Sequence, residues 1–213
     1  TESNHMLALS ERPELHRQHG ARIAGQRTLE LSGLAPGALE FVELYSCFPI
    51  AVELYASELG TPADRDWTVT GGMPFAGGPL NNYVLQATAR MAELLREKPG
   101  ASGLVSSVSG YLTKQGFGVW SADPGPRGFV FADVSAEVAA ESPPRTVVPP
   151  ADGVARICGY TVMYHNDARV CGVALLDQPD GTRTLANTPD QALMDRLESE
   201  ECCGREVRVA AGR

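Results

Sequence analysis

Cys47 is the first side chain in this 213-residue chain that stands where chemistry is easy. It precedes Pro49, where an apolar run ends and a helical pattern begins. A thiol at a helix N-terminus would have a lowered pKa and so greater thiolate character. The same position also suits a small buried apolar group, and the residues leave both readings open. Ser109, Tyr111 and Lys114 form a second group, around a turn between two apolar runs. A serine hydroxyl is a weak acid and needs a partner base to move a proton, while Lys114 also reads as a solvated turn charge. The third feature is Thr68–Tyr83, TVTGGMPFAGGPLNNY. Its glycine pairs, Gly71-Gly72 and Gly77-Gly78, let backbone come close to another backbone or to a ligand.

Metal chemistry has less support. His16 and His19 share one helix face at an i, i+3 spacing, but no carboxylate-rich partner accompanies them. The five cysteines, Cys47, Cys158, Cys171, Cys202 and Cys203, include no CxxC pair, and the four histidines complete no zinc pattern. We expect no metal, and a reduced, cytoplasmic protein.

The elements that must position these groups follow from periodicity. Residues 13–33 read as a helix opening at Pro13 and stopped by Gly33. Residues 40–48, EFVELYSCF, read as a strand buried on both faces, as in a parallel sheet. Pro49 starts a helix that Gly60 ends, and after a polar loop at 61–66 WTVT at 67–70 reads as a short strand. Asn81 or Asn82 would cap a third helix running to Glu97. Residues 103–111 and 117–121 read as strands paired in a hairpin. This order is an α/β layered domain over residues 1–121. Residues 122–150, with Pro124, Pro126, Pro143, Pro144, Pro149 and Pro150, read as a linker. Residues 151–213 read as strands about HND and QPDG turns, with a short helix after Pro189. That module resembles an incomplete barrel of the oligonucleotide/oligosaccharide-binding (OB) type.

The net charge of −8 argues against a phosphate-backbone binder, and no apolar run reaches the length of a membrane span. No secretory signal is legible. The chain opens without an initiator Met and reads as a fragment.

Three segments together resemble one family: ELYSCFPIAVELYASELG, TVTGGMPFAGGPLNNYVLQATARM and GLVSSVSGYLTKQGFGVWS. They are similar to the carboxyl-terminal half of thiolase-superfamily proteins, within the acetyl-CoA acetyltransferase-like group that carries an additional C-terminal β-domain. The resemblance implies acyl-CoA as substrate or ligand, no further cofactor, and an amino-terminal thiolase half supplied in cis or trans. It leaves room for a homo-oligomer, or for a partner protein held by the β-domain. In that family a histidine of a GHP motif activates the nucleophile, and here Gly77-Gly78-Pro79 resembles that motif with Gly78 in the histidine's place. Tyr45-Ser46-Cys47-Phe48 resembles the Asn-Glu-Ala-Phe segment. Ser107-Val108-Ser109-Gly110 resembles the CxG segment without its cysteine and is followed by Tyr111. The resemblance thus implies Cys47 and Ser109 as catalytic candidates, and Gly71, Gly72, Gly77, Gly78, Asn81 and Tyr111 as ligand contacts. Two functions are compatible with it: an acyltransferase working on CoA thioesters, or a CoA-ester-binding or assembly protein that keeps the scaffold without the reaction.

Overall fold

The structure is a computed structural model and describes residues 1–61, 64–125 and 128–211. Pro126 of the proline-rich stretch and residues 62–63 of the polar loop lie outside the described residues. The chain divides into two compact units. The first comprises Thr1–Met6 and His16–Ser142, the second Leu7–Leu15 and Pro143–Arg213.

The first unit is built on a four-stranded mixed sheet. Strands β1 (Glu2–Asn4), β2 (Phe41–Glu43), β3 (Ser102–Ser109) and β4 (Lys114–Ser121) lie in the order β1-β4-β3-β2. β2 runs parallel to β3, and the other two pairings are antiparallel. β3 is one of the two inner strands, and its alternation serves two cores. Leu104 joins a cluster containing Ala21, Ala24 and Leu29 of helix α1 (His19–Ser32) and Tyr55, Ala56 and Leu59 of α2 (Pro49–Leu59). Val105, its neighbour, joins Tyr83, Ala87, Met91 and Leu95. Those four lie on α4 (Tyr83–Glu97), which follows the single-turn helix α3 (Met73–Ala76). A period of two along the strand meets a period of about 3.6 along each helix, so each face receives its own helical layer. The fit is close at Gly103, where a Cβ would fall 2.1 Å from the Met91 sulfur.

The helix stops are local. Gly33 and Gly60 adopt φ of 73° and 64°, conformations that cost glycine nothing. The Gly33 amide bonds to Glu30 O at 3.2 Å and the Leu34 amide to Leu29 O at 3.1 Å, completing the cap. Asn82 takes the N-cap position of α4 but makes no side-chain capping bond. β3 and β4 form the expected hairpin, with Ser109 opposite Lys114.

Four expectations change. α1 begins at His19, not at Pro13. The carbonyls of Arg12 and Pro13 instead accept from the Arg183 guanidinium, which holds that stretch out of a helix. The run 40–48 contributes only Phe41–Glu43 to the sheet. Beyond it, the Tyr45 amide bonds to the Ser106 hydroxyl at 2.9 Å in place of a backbone carbonyl. WTVT at 67–70 forms no strand, because the Val69 and Thr70 amides go to the Glu43 carboxylate. Finally, 122–150 is not one linker. Within it α5 (Ser135–Glu141) belongs to the first unit, since Val134 and Val138 are buried in the α1–α2 core.

The second unit is a four-stranded antiparallel sheet. It contains β5 (Gly153–His165), β6 (Ala168–Asp177), β7 (Arg183–Thr188) and β8 (Glu206–Val209), in the order β7-β6-β5-β8. The β5–β6 turn places Asn166 and Asp167 at φ of 48° and 63°, which short polar side chains tolerate. Helix α6 (Gln191–Ser199) is capped by Asp190, whose carboxylate accepts from the Leu193 amide, and buries Met194. The Leu7–Leu15 segment is part of this unit although it precedes α1 in sequence.

An electrostatic contact ties α2 to the entry of α1. The Glu58 side chain is 2% exposed and accepts Arg17 Nε at 2.7 Å, Arg17 Nη2 at 2.9 Å and the Gln18 amide at 2.8 Å. Burial alone would raise its pKa, but the Arg17 and Gln18 bonds, with the Arg17 and His19 charges, hold it below the ordinary value. A depressed carboxylate contributes stability that is full above its unfolded pKa and is lost as pH falls through the folded one. Glu58→Gln should therefore flatten the fall in urea midpoint between roughly pH 5 and pH 3. A variant whose midpoint fell as steeply as the parent's would count against this contact.

Candidate functional site

The polar groups that the fold brings together in the first unit meet beneath the glycine segment. Glu43, the last residue of β2, is fully buried. Its Oε2 accepts the Val69 amide at 2.7 Å and the Thr70 amide at 3.0 Å. Its Oε1 lies 3.0 Å from Thr70 Oγ1 and also accepts from the Tyr83 hydroxyl. Tyr83 opens α4, is 1% exposed, and packs edge-on against Tyr45 with ring centroids 5.3 Å apart. Thr70 Oγ1 and Tyr83 Oη are 2.8 Å apart. Thr70 and Tyr83 carry one hydroxyl proton each, so only two of the three contacts among Glu43, Thr70 and Tyr83 are hydrogen bonds at a time. Burial raises the Tyr83 pKa and the bond to Glu43 raises it further, which keeps the phenol a donor.

The network reaches upward into the glycine segment. Ser46 Oγ donates to Tyr83 Oη at 3.3 Å and accepts the Met73 amide at 2.9 Å. The Gly72 amide donates to Thr70 Oγ1 at 3.2 Å. Gly72 is buried with φ of 81°, and a Cβ there would lie 3.1 Å from Ser46 Oγ. That position needs glycine both for its backbone and for its space.

The residues singled out in sequence are placed differently. Gly71, Gly77, Gly78 and Asn81 are exposed, as are Phe75 at 84% and Leu80 at 93%. The second glycine pair is therefore open to solvent. A cavity of about 880 Å³ does open in the first unit, lined by Thr28, Val84, Val105, Trp120 and Phe131 among others, and none of the four glycines lines it. Gly78 has no left-handed φ, and a Cβ on it would lie 2.9 Å from the Met73 methyl. Ser109 and Tyr111 are exposed on the β3–β4 turn, where Gly110, Tyr111 and Leu112 have φ of 56°, 52° and 69°. Cys47 is exposed just ahead of α2, but local desolvation pushes its thiol up, opposite to the lowering expected at a helix N-terminus. Backbone bonds at Cys47 and Phe48 only partly offset that rise. Among the described residues no group of three or more His, Cys, Asp or Glu is placed to hold a metal ion. No helix among them is long and apolar enough to cross a membrane.

Glu43, Thr70 and Tyr83 were not singled out in sequence. The usable signal was Glu43 inside the apolar run EFVELYSCF, because a glutamate within a run that reads as buried must find donors.

Comparison with known proteins decides the family. Residues 133–212 match the family model of the thiolase-like protein type 1 additional C-terminal domain. The chain is also similar to the crystal structure of a monomeric SCP2-thiolase-like protein type 1 from Mycobacterium smegmatis. The identity is 31% and the TM-score 0.87, over 100% of this chain and 47% of that one. The chain is thiolase-like and carries the additional C-terminal domain. No curated protein matches it. The thiolase-like chain spans about half the length of the structure it matches. Its additional domain, as matched, begins ten residues before the Pro143 boundary of the second unit and omits Leu7–Leu15.

Proposed function

We propose that this thiolase-like chain forms part of a protein that binds acyl-CoA thioesters and does not perform the family's acyl transfer through the glycine loop. The observation that carries the reading is Gly78. It stands where the resemblance places a proton-abstracting histidine, and the Met73 methyl lies 2.9 Å from where its Cβ would be. A glycine cannot abstract a proton, and general-base groups typically contribute about 10²–10⁴-fold to rate. The raised Cys47 thiol supports the same reading, since less of it is thiolate at neutral pH. The amino-terminal half, in cis or trans, would supply the remainder of the ligand contacts.

The test is to incubate the full-length protein with acetyl-CoA, and to titrate CoA against it calorimetrically. Saturable CoA binding is expected, with no released CoA beyond background and no acylated cysteine by mass spectrometry. An acetyl thioester on Cys47 that disappears in Cys47→Ala would overturn the reading in favour of an acyltransferase.

A further inference from the structure

We infer that Glu43 is the positioning residue of the glycine loop, acting through Thr70, Tyr83 and Ser46. Between Val69 and Met73 the amides of Val69, Thr70, Gly72 and Met73 all donate into one polar network. The first two reach Glu43 directly. Gly72 reaches it through Thr70 Oγ1, and Met73 through Ser46 Oγ and Tyr83 Oη. No regular ladder holds this stretch, so the network sets where its backbone lies. The anchoring groups come from the end of β2, the loop before α2 and the start of α4. The carboxyl group is fully buried and does not meet a ligand itself. It fixes the segment that leads into Gly77-Gly78. The consequence for binding rests on the reading of that loop as a CoA-ester contact, while the positioning role does not.

The two can be separated by measuring amide exchange by NMR on the whole chain without ligand. Ser46→Ala removes the acceptor of Met73 and should speed exchange of that amide about tenfold, the effect of one hydrogen bond. Val69 and Thr70, which bond to Glu43 itself, should keep their parent rates. Tyr83→Phe should speed Met73 by several-fold, because Ser46 loses the oxygen that orients it. Glu43→Gln retains one oxygen for the Val69 and Thr70 amides and turns a donor toward Thr70 and Tyr83, whose hydroxyls can accept; it should preserve most protection. Leu104 and Val105 in β3 serve as the control and should not change. Parent-like exchange at Met73 in both Ser46→Ala and Tyr83→Phe would overturn the proposal. So would faster exchange in β3 equal to that at Met73, which marks general destabilisation. CoA titration of the same variants then reads the consequence: Tyr83→Phe should weaken CoA binding several-fold. If the parent protein binds no CoA, the functional reading falls, and the ligand-free exchange pattern still decides the positioning role.

Discussion

Arg183→Leu should release the Leu7–Leu15 segment and cost the second unit about 3 kcal/mol of stability. The Arg183 side chain is 1% exposed. Its Nε donates to Asp177 Oδ1 at 2.7 Å, Nη1 to Arg12 O at 2.5 Å and Ser10 O at 3.3 Å, and Nη2 approaches Pro13 O at 3.5 Å. Leucine would leave those carbonyls without their donor and Asp177 without this partner. The Asp177 side chain is 30% exposed, so water takes up part of the loss and keeps the cost below that of a fully buried pair. Other bonds retain part of the fold: the Arg145 amide reaches Glu11 O at 2.8 Å, and Arg183's own amide reaches Thr146 O at 2.9 Å. Amide exchange at Glu11 and Arg145 should therefore accelerate before that of the β5–β6 ladder. Arg183→Lys should recover only a fraction, because one ammonium cannot serve carbonyls and carboxylate in several directions at once. Unchanged exchange at Glu11 in Arg183→Leu would remove the guanidinium from its assigned role.

Glu43→Leu should cost the first unit about 3–5 kcal/mol. The substitution conserves approximate size and removes every acceptor at the base of the network. The Val69 and Thr70 amides then lose their acceptor, while the Tyr83 hydroxyl, 1% exposed, loses Glu43 and turns to Thr70 Oγ1 at 2.8 Å. Each buried donor left unpaired costs about 1–3 kcal/mol, and rearrangement of the half-exposed 67–70 stretch limits the sum. Both tryptophans, Trp67 and Trp120, lie in the first unit, so their fluorescence during urea unfolding follows the affected part. A midpoint shift worth less than about 1 kcal/mol would show that the acceptors are dispensable. Glu43→Gln, which keeps an oxygen for both amides, should lie between the parent and the leucine variant.

The thiolase-like character was legible because its carriers are short and ordered along the chain. The glycine pairs, the Pro49 helix start and the strand–turn–strand at 102–121 stand in one sequence order. Of the candidate site, Gly72 was both singled out and found in the network, whereas Cys47, Ser109 and Tyr111 lie exposed outside it.

What the sequence determined by itself is local. Gly33 and Gly60 end helices because a left-handed φ costs glycine nothing, whatever surrounds it. Proline at position 49 opens α2 because it lacks an N–H that would go unpaired there anyway. The apolar residues of 103–111 and 117–121, set about a short turn, mark two strands of a hairpin. Tertiary structure decided where backbone donors and acceptors go once no regular ladder claims them. WTVT has the composition of a strand, but a buried carboxylate reached its amides. Residues 13–18 read as the start of a helix because Pro13 suits a first turn, but a guanidinium from about 170 positions away holds the carbonyls at their start. Hydrogen-bond partners of this kind are fixed by proximity in the folded chain, and proximity is not written in the spacing of residues along it.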